Sequence, residues 1–313
     1  MRRHILTATA AAAVLALSAC GGGDTATSAA ETEAAAENGT ETTTEIPTGG
    51  YDWTTIETVD EIAAMVPEDV AEDGLLTNGL NASYAPAEFM AEDGTTMIGF
   101  DIDIVNAVAR VMGLEAEFIQ AEFASIIPAI GTKYEVGFSE FSIRPDRMEQ
   151  VNMITYHETG SSWSVAAGNP SGFDPESPCG YSVGVQTGTI QDDAVTAWVD
   201  RCEEEGSTLE VIRYAQQSAV TTNLIGGKFD AMYTDTSVAG YATIMTEGQT
   251  EVVGEPYDVA PVGAVTSKDA PELTAALQAA LQYLMDEGIL ADIFASWGIE
   301  DGMLTEAVLN PSM

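Results

Sequence analysis

Twice along this chain, short apolar runs alternate with stretches of helical periodicity, and no other feature restricts the fold as much. LLTNGL (75 to 80) reads as a strand, and in GFDIDIVNAVARVMG the residues Val105, Val108, Ala109 and Met112 recur at helical spacing before a capping Gly113. AEFIQ (116 to 120), the helix-like SIIPAIG (125 to 131) and the strand EVGFSE (135 to 140) follow. GNPSGFDPESPCG (168 to 180), dense in Gly, Pro and Ser, punctuates the chain. The alternation then resumes with YSVGV, a helix from about Thr189 to Glu204, TLEVI, a helix near 216 to 226, and FDAMYTD. Such alternation predicts an α/β fold, a sheet flanked by helices, and its repetition predicts two units. In PELTAALQAALQYLMDEG the stripe Leu273, Ala276, Leu277, Ala280, Leu281 and Leu284 must pack on one of them, and periodicity does not say which.

The N-terminus sets the compartment. MRRHILTATAAAAVLALSAC opens on Arg2 and Arg3, runs apolar from Ala8 to Leu17 and closes on small residues before Cys20. That is an export signal over residues 1–19, too short to span a bilayer. Its LSAC ending resembles the lipobox of bacterial lipoproteins, which implies a lipidated Cys20 as the mature N-terminus, anchored at the extracytoplasmic face of the cell membrane. An ordinary cleaved signal with a chance cysteine is the alternative. Residues 20–50, almost wholly Ala, Gly, Thr and Glu, cannot bury enough apolar surface to offset their ordering entropy and are expected to form a flexible tether.

With 10 Lys plus Arg against 50 Asp plus Glu, a net charge of −40, the surface repels nucleic acid and anionic lipid. General adaptation to salt explains that sign as well as a functional field does, and in either case each cation is informative. After export only His157 remains of 2 histidines, so a Ser-His-Asp, Cys-His or multi-histidine zinc site would have to be built around one ring. No HExxH, CxxC, Walker or GxGxxG pattern is present, which removes support for common hydrolases, phosphotransferases and dinucleotide enzymes. No catalytic residue, metal or other cofactor is expected. In the helix before Cys202, residues Val195, Trp198, Val199 and Cys202 share one face, turned toward the strand that begins just after Cys179. In an exported chain this pair is expected to be a disulfide, with two buried free thiols as the alternative.

The stretches NASYAPAEF, GFDIDIVNAVARVMGL, IIPAI, FSEFSIRPDR, VGVQTGT, GGKFDAMYTD and MDEGILADIFASWG, in that order and spacing, resemble the solute-binding receptors of polar-amino-acid ABC importers over about residues 74–300. The resemblance implies a two-lobed, type II periplasmic-binding-protein-like fold, each lobe a sheet flanked by helices, with the ligand cleft between them. Lobe one would comprise residues 51–160 and 263–300, which returns the last helix to it; lobe two would be 161–262, and 301–313 a C-terminal tail.

The resemblance also implies roles. Arg147 falls on the arginine that grips the ligand's α-carboxylate, a match a planar guanidinium suits; surface pairing with Asp146 or Glu149 is the plainer alternative. Ser139 and Ser142 match serines that hydrogen-bond the ligand. Glu140 departs from the family's usual Ser-Gly-Met-Ser or Ser-Ser-Leu-Ser: facing the cleft it would accept from a cationic group, facing solvent it is one more surface acid. Arg144 stands where Thr or Ser is usual and would offset Glu140, in the cleft or as a surface pair. Tyr84 would lie against the ligand side chain and Phe123 would form the opposing wall, unless both are ordinary core rings. Asn81, in the same loop as Tyr84, replaces an Asp that in many relatives receives a distal cation, which weighs against lysine- or arginine-like ligands. Gly188 and Thr189 match the turn that meets the carboxylate at a helix N-terminus, and Ile190 replaces a frequent second hydroxyl. Asp235 matches the acid that pairs with the α-ammonium, or is simply a helix N-cap.

The implied function is a monomeric, lipid-anchored receptor that binds a free amino acid or related small zwitterion and delivers it to an ABC importer's permease and ATPase. Two alternatives remain: an enzyme on the same fold, of the cyclohexadienyl dehydratase kind with Glu140 as acid, and a ligand-sensing partner of a signalling protein.

Overall fold

The computed structural model describes residues 50–299 and 301–312. The expected export signal, the expected lipidation site Cys20 and all of the expected tether but Gly50 lie outside the described residues. The strands, in order, are β1 (Leu75–Leu80), β2 (Ser83–Tyr84), β3 (Glu88–Met90), β4 (Met97–Ile98), β5 (Glu115–Gln120), β6 (Val136–Gly137), β7 (Val151–Ala166), β8 (Ser182–Gln186), β9 (Glu210–Tyr214), β10 (Ala231–Asp235) and β11 (Thr250–Ser267). The helices are α1 (Asp60–Ala63), α2 (Glu68–Asp73), α3 (Phe100–Met112), α4 (Phe123–Ile126), α5 (Pro145–Gln150), α6 (Ile190–Glu204), α7 (Gln217–Ile225), α8 (Thr236–Met245), α9 (Pro271–Asp286) and α10 (Ile289–Ser296). None is long and apolar enough to cross a membrane.

In place of a separate sheet in each lobe, one eight-stranded sheet runs through both, in the order β5-β1-β6-β11-β7-β10-β8-β9. The joint is an antiparallel ribbon of β7 and β11, paired from Val151↔Ser267 to Ala166↔Thr250. The strand β6 pairs with one end of it, at Val265 and Thr266, and β10 with the other, along Ser161 to Val165. Bulges in β11 between Val253 and Gly263 interrupt the register where the chain passes from one lobe to the other. The expected lobe boundaries, 160/161 and 262/263, both fall inside this ribbon. The predicted strand 135 to 140 shortens to β6 because the Asn78 side chain takes over the ladder: its Oδ1 accepts from the Phe138 N–H at 2.7 Å and its Nδ2 donates to the Phe138 carbonyl at 3.3 Å.

Helix α3 buries Phe100, Ile104, Val105, Val108 and Met112 and stops at Gly113, left-handed at φ 74°. The whole stripe of α9, from Leu273 to Leu284, is buried in the same core as Leu76, Phe100 and Val105. Each fully buried leucine there stabilises by about 1.5–3 kcal/mol relative to exposure. A second core gathers Trp163, Val165, Val183, Val185, Val195, Cys202 and Tyr233. Cys202 is disulfide-bonded to Cys179, which removes the free-thiol alternative. Residues 301–312 are not a loose tail. The Thr155 N–H donates to the Val308 carbonyl at 3.0 Å, the Asn310 N–H donates to the Met153 carbonyl at 2.7 Å, and Ala307 is buried in the first core. They cover the edge of β7 that β10 does not reach, where an open strand edge would otherwise stand.

Candidate functional site

Loop ends from the two lobes meet beside the ribbon. Pro145 at the first turn of α5 starts a helix that carries Arg147 inward, to 4% exposure. From the other lobe, β8 ends in a turn through Gly188 (φ 83°) into α6, and β10 ends at Asp235, 3% exposed. Between them lies a cavity of about 10 Å³, walled by Tyr84, Phe123, Glu140, Ser142 and Arg147 on one side and by Thr189, Ile190, Gln191 and Asp235 on the other. That is about the room one water needs, so the lobes are shut against each other.

Arg147 Nη1 donates to the Ser142 carbonyl at 2.9 Å, and Nη2 reaches across to the Gly188 carbonyl at 3.2 Å. Phe123 and Phe141 stack with centroids 5.0 Å apart, and the guanidinium carbon lies 5.5 and 5.8 Å from the two rings. Among the described residues Arg147 forms no ion pair; Asp146, its expected surface partner, pairs with Arg144 at 2.8 Å. Burial holds the guanidinium down to about 10, so it stays charged at neutral pH. A buried cation satisfied by carbonyls alone is short of negative charge.

The Asp235 carboxylate accepts from the Tyr84 hydroxyl at 2.5 Å and from Gln191 Nε2 at 2.7 Å. It stands at the N-cap position of α8 but makes no side-chain capping bond there, its oxygens being taken by Tyr84 and Gln191 instead. Burial first, then the charge of Glu140, push its carboxyl up to about 7. Gln191 was missed in the sequence; its only signal there is a polar side chain on the inward face of the first turn of α6.

Glu140 faces the cavity, not solvent. Its N–H donates to Asp101 Oδ2 at 3.1 Å, and its Oε1 lies 2.6 Å from His157 Nε2. Asp101 also accepts from the Tyr156 hydroxyl at 3.1 Å, and Glu88 accepts from the Ser139 hydroxyl at 2.6 Å. Burial and then the charge of Glu140 raise Asp101 to about 8; burial and then the charge of Asp101 raise Glu88 well above the carboxylate range. Burial by itself would lower His157, but the charge and hydrogen bond of Glu140 together with Asp101 and Asp235 more than offset it, and the net shift is upward. His157 was not foreseen as part of the site. Arg144 does not offset Glu140: it lies at the rim, where it bridges Asp146 and, from the opposite lobe, Asp193.

Two predicted residues stand behind the wall. Ser139 accepts the Asn81 N–H at 3.1 Å; Asn81 spends Nδ2 on the Ala121 carbonyl at 2.7 Å and Oδ1 on Ser83 and on Gln186 of the other lobe. Thr189 caps α6, accepting the Asp192 N–H at 3.1 Å, while the Gly188 N–H donates to Asp192 Oδ2 at 3.1 Å. Beside Asn81 a recess of about 500 Å³ opens, bordered by Gln120, Glu122, Tyr214 and Gln216. No group of three His, Cys, Asp or Glu among the described residues is placed to hold a metal ion.

The chain is similar to known proteins over this whole region. The arginine-binding protein ArgT of Corynebacterium glutamicum is 38% identical over 265 residues, 83% of this chain and 86% of that protein. The lysine/arginine/ornithine-binding periplasmic protein of Escherichia coli is 27% identical, over 67% of this chain and 82% of its own. A solved structure of an ancestral arginine-binding protein bound to arginine is 30% identical, with a TM-score of 0.66, over 72% of this chain and 98% of that one. The model of the bacterial extracellular solute-binding proteins, family 3, matches residues 76–300, and the chain belongs to that family.

Proposed function

We propose that the protein is a monomeric, lipid-anchored extracytoplasmic receptor that captures a free amino acid between its lobes and hands it to the permease and ATPase of an ABC importer. One observation carries this reading: Arg147, a buried cation without an acid partner among the described residues, and Asp235, a buried acid, reach one cavity from opposite lobes. The carboxylate of a zwitterion would replace the carbonyls at Arg147 in a bidentate fork, and its ammonium would replace the Tyr84 hydroxyl at Asp235. Neither lobe alone satisfies both charges, so ligand favours closure. The closed cavity is too small for an amino acid, so access requires the lobes to part about the β7–β11 ribbon. Tyr84 and Phe123 supply the walls, Ser142, Gly188 and Thr189 the polar rim, and Ser139 and Asn81 hold the loops from behind.

L-Arginine stands first among ligands, since the relatives above are named for it. Asn81 has its amide tied up and is no receptor for a guanidinium. We assign that part to Glu122, which borders the recess next to Phe123 on the cavity wall. In this reading the ligand leaves unchanged, which distinguishes the receptor from an enzyme on the same fold.

A thermal-shift screen over amino acids, amines and small peptides tests it. At a hundredfold excess over Kd, L-arginine should stabilise by about 2.7 kcal/mol, a rise of roughly 5–10 °C in the melting temperature, and should be recovered intact. No shift with any amino acid contradicts the receptor; a chemically altered ligand favours the enzyme. For the anchor, mass spectrometry of membrane-extracted protein should find lipid on Cys20, and an unmodified secreted form contradicts it.

A further inference from the structure

The zwitterion reading leaves Glu140 unused. It holds φ 51°, a conformation glycine adopts far more readily, and it is 3% exposed, where a carboxylate is costly unless paired. His157, from β7, pairs it: Nε2 and Oε1 lie 2.6 Å apart with both side chains 1% exposed. The rings of Phe100 and Phe294 pack on the imidazole with centroids 5.7 and 5.0 Å away. The second carboxylate oxygen, Oε2, is buried without a partner, and the residue lines the cavity from the lobe opposite Asp235. A buried acceptor left bare is expensive, and a ligand donor would complete it.

We propose that Glu140, held by His157, is a second receptor for the ligand's ammonium group, across the cavity from Asp235, and that through this pair the protein selects ligands with an intact α-ammonium. An ammonium carries three N–H donors, enough for both carboxylates, where a hydroxyl in its place carries one. His157 is a positioning residue: it holds Glu140 Oε1 at 2.6 Å and acts on the ligand only through it. The other groups around the pair fit this division. Asp101 from α3, raised mainly by burial to about 8, is largely neutral at pH 7, and burial raises Glu88 from β3 well above its ordinary value. Tyr156 from β7 donates to Asp101, Tyr84 from β2 donates to Asp235, and Arg147 from α5 is left for the ligand carboxylate.

A pH dependence follows. Burial and the charge of Glu140 both raise Asp235, so it takes up a proton as pH falls through about 7, and the ammonium must then displace that proton. Binding is full above that pH and weakens below it. Removing the charge of Glu140 lowers the Asp235 midpoint, so the pH midpoint of binding moves acidward.

The proposal rests on the receptor reading, and its test separates the two. In full-length protein carrying isotope-labelled histidine, the His157 signal, assigned by its loss in His157→Gln, should titrate at a higher pH than an unperturbed histidine. In Glu140→Gln its midpoint should fall. A His157 midpoint that does not fall in Glu140→Gln overturns the proposal whatever ligand binds. Calorimetry then compares L-arginine with its α-hydroxy analogue, which keeps the carboxylate and guanidinium but lacks the ammonium. Glu140→Gln should weaken L-arginine by about ten- to a hundredfold, the range of a charge-assisted hydrogen bond. It should also narrow the preference over the hydroxy acid at least about tenfold and shift the pH midpoint of binding acidward. His157→Gln should act in the same direction on affinity, and the double variant should lose no more than Glu140→Gln alone. An unchanged preference in Glu140→Gln overturns the proposal and leaves the receptor standing. Wild-type protein that ignores L-arginine overturns the arginine reading, and the His157 signal still decides the pair. If Glu140→Gln does not fold, Glu140→Gly, which eases the backbone, carries the same affinity and preference expectations.

Discussion

Gly188 shows how a single residue serves closure. At φ 83° it occupies a region L side chains avoid, and a Cβ there would stand 2.9 Å from the Ala124 Cβ of the opposite lobe. Its carbonyl also receives Arg147 across the cleft. Gly188→Ala should therefore weaken ligand binding about tenfold or more, through an αL cost of about 1–2 kcal/mol and through lobes that no longer meet. Calorimetry checks this, and undiminished affinity would show that the lobes do not close on this contact. Residues of the site were legible to different depths. The inward position of Arg147 follows from its motif, but its lack of an acid is a tertiary fact, decided by Asp146 turning to Arg144. The partner of Glu140 could not be read, because His157 arrives 17 residues later, on the strand β7, while Glu140 sits in the loop after β6. Arg144 finds Asp193 at a sequence distance of 49, beyond the reach of any local pattern.

At the scale of elements, α6 is fastened at both ends. Thr189 caps its start, and Cys202 in its last turn is bonded to Cys179, ahead of β8, at a separation of 23 residues. Closing a loop of that size stabilises by about 3 kcal/mol in the chain-entropy model. Cys202→Ser should then lower the melting temperature by roughly 6–12 °C; a change below a degree in scanning calorimetry would mean that lobe two does not depend on the bond. The helices α3, α6 and α9 were legible because their apolar stripes record what they pack on. The strand β11 was not, because Gly254, Pro256 and Pro261 punctuate it like a loop, and only pairing with β7, with bulges to absorb the mismatch, keeps it extended. The segment that covers the edge of β7 has no periodicity of its own and is ordered by the strand it meets.

For the molecule as a whole, β7 and β11 are the elements both lobes share, so a ligand held from both sides acts on one ribbon. The net charge of −40 adds a long-range attraction for cationic amino acids that salt weakens. The central claim is that Arg147 and Asp235 close on the two charges of one amino acid. Its most direct test is calorimetric titration of L-arginine into wild-type protein and Arg147→Ala, with the melting temperature of each measured alongside. L-Arginine should bind the wild type at micromolar Kd or tighter and show no detectable binding to the variant. The variant should melt at the same temperature or higher, because it loses a buried cation that no acid partners. An Arg147→Ala protein that binds L-arginine within about tenfold of wild type would contradict the account.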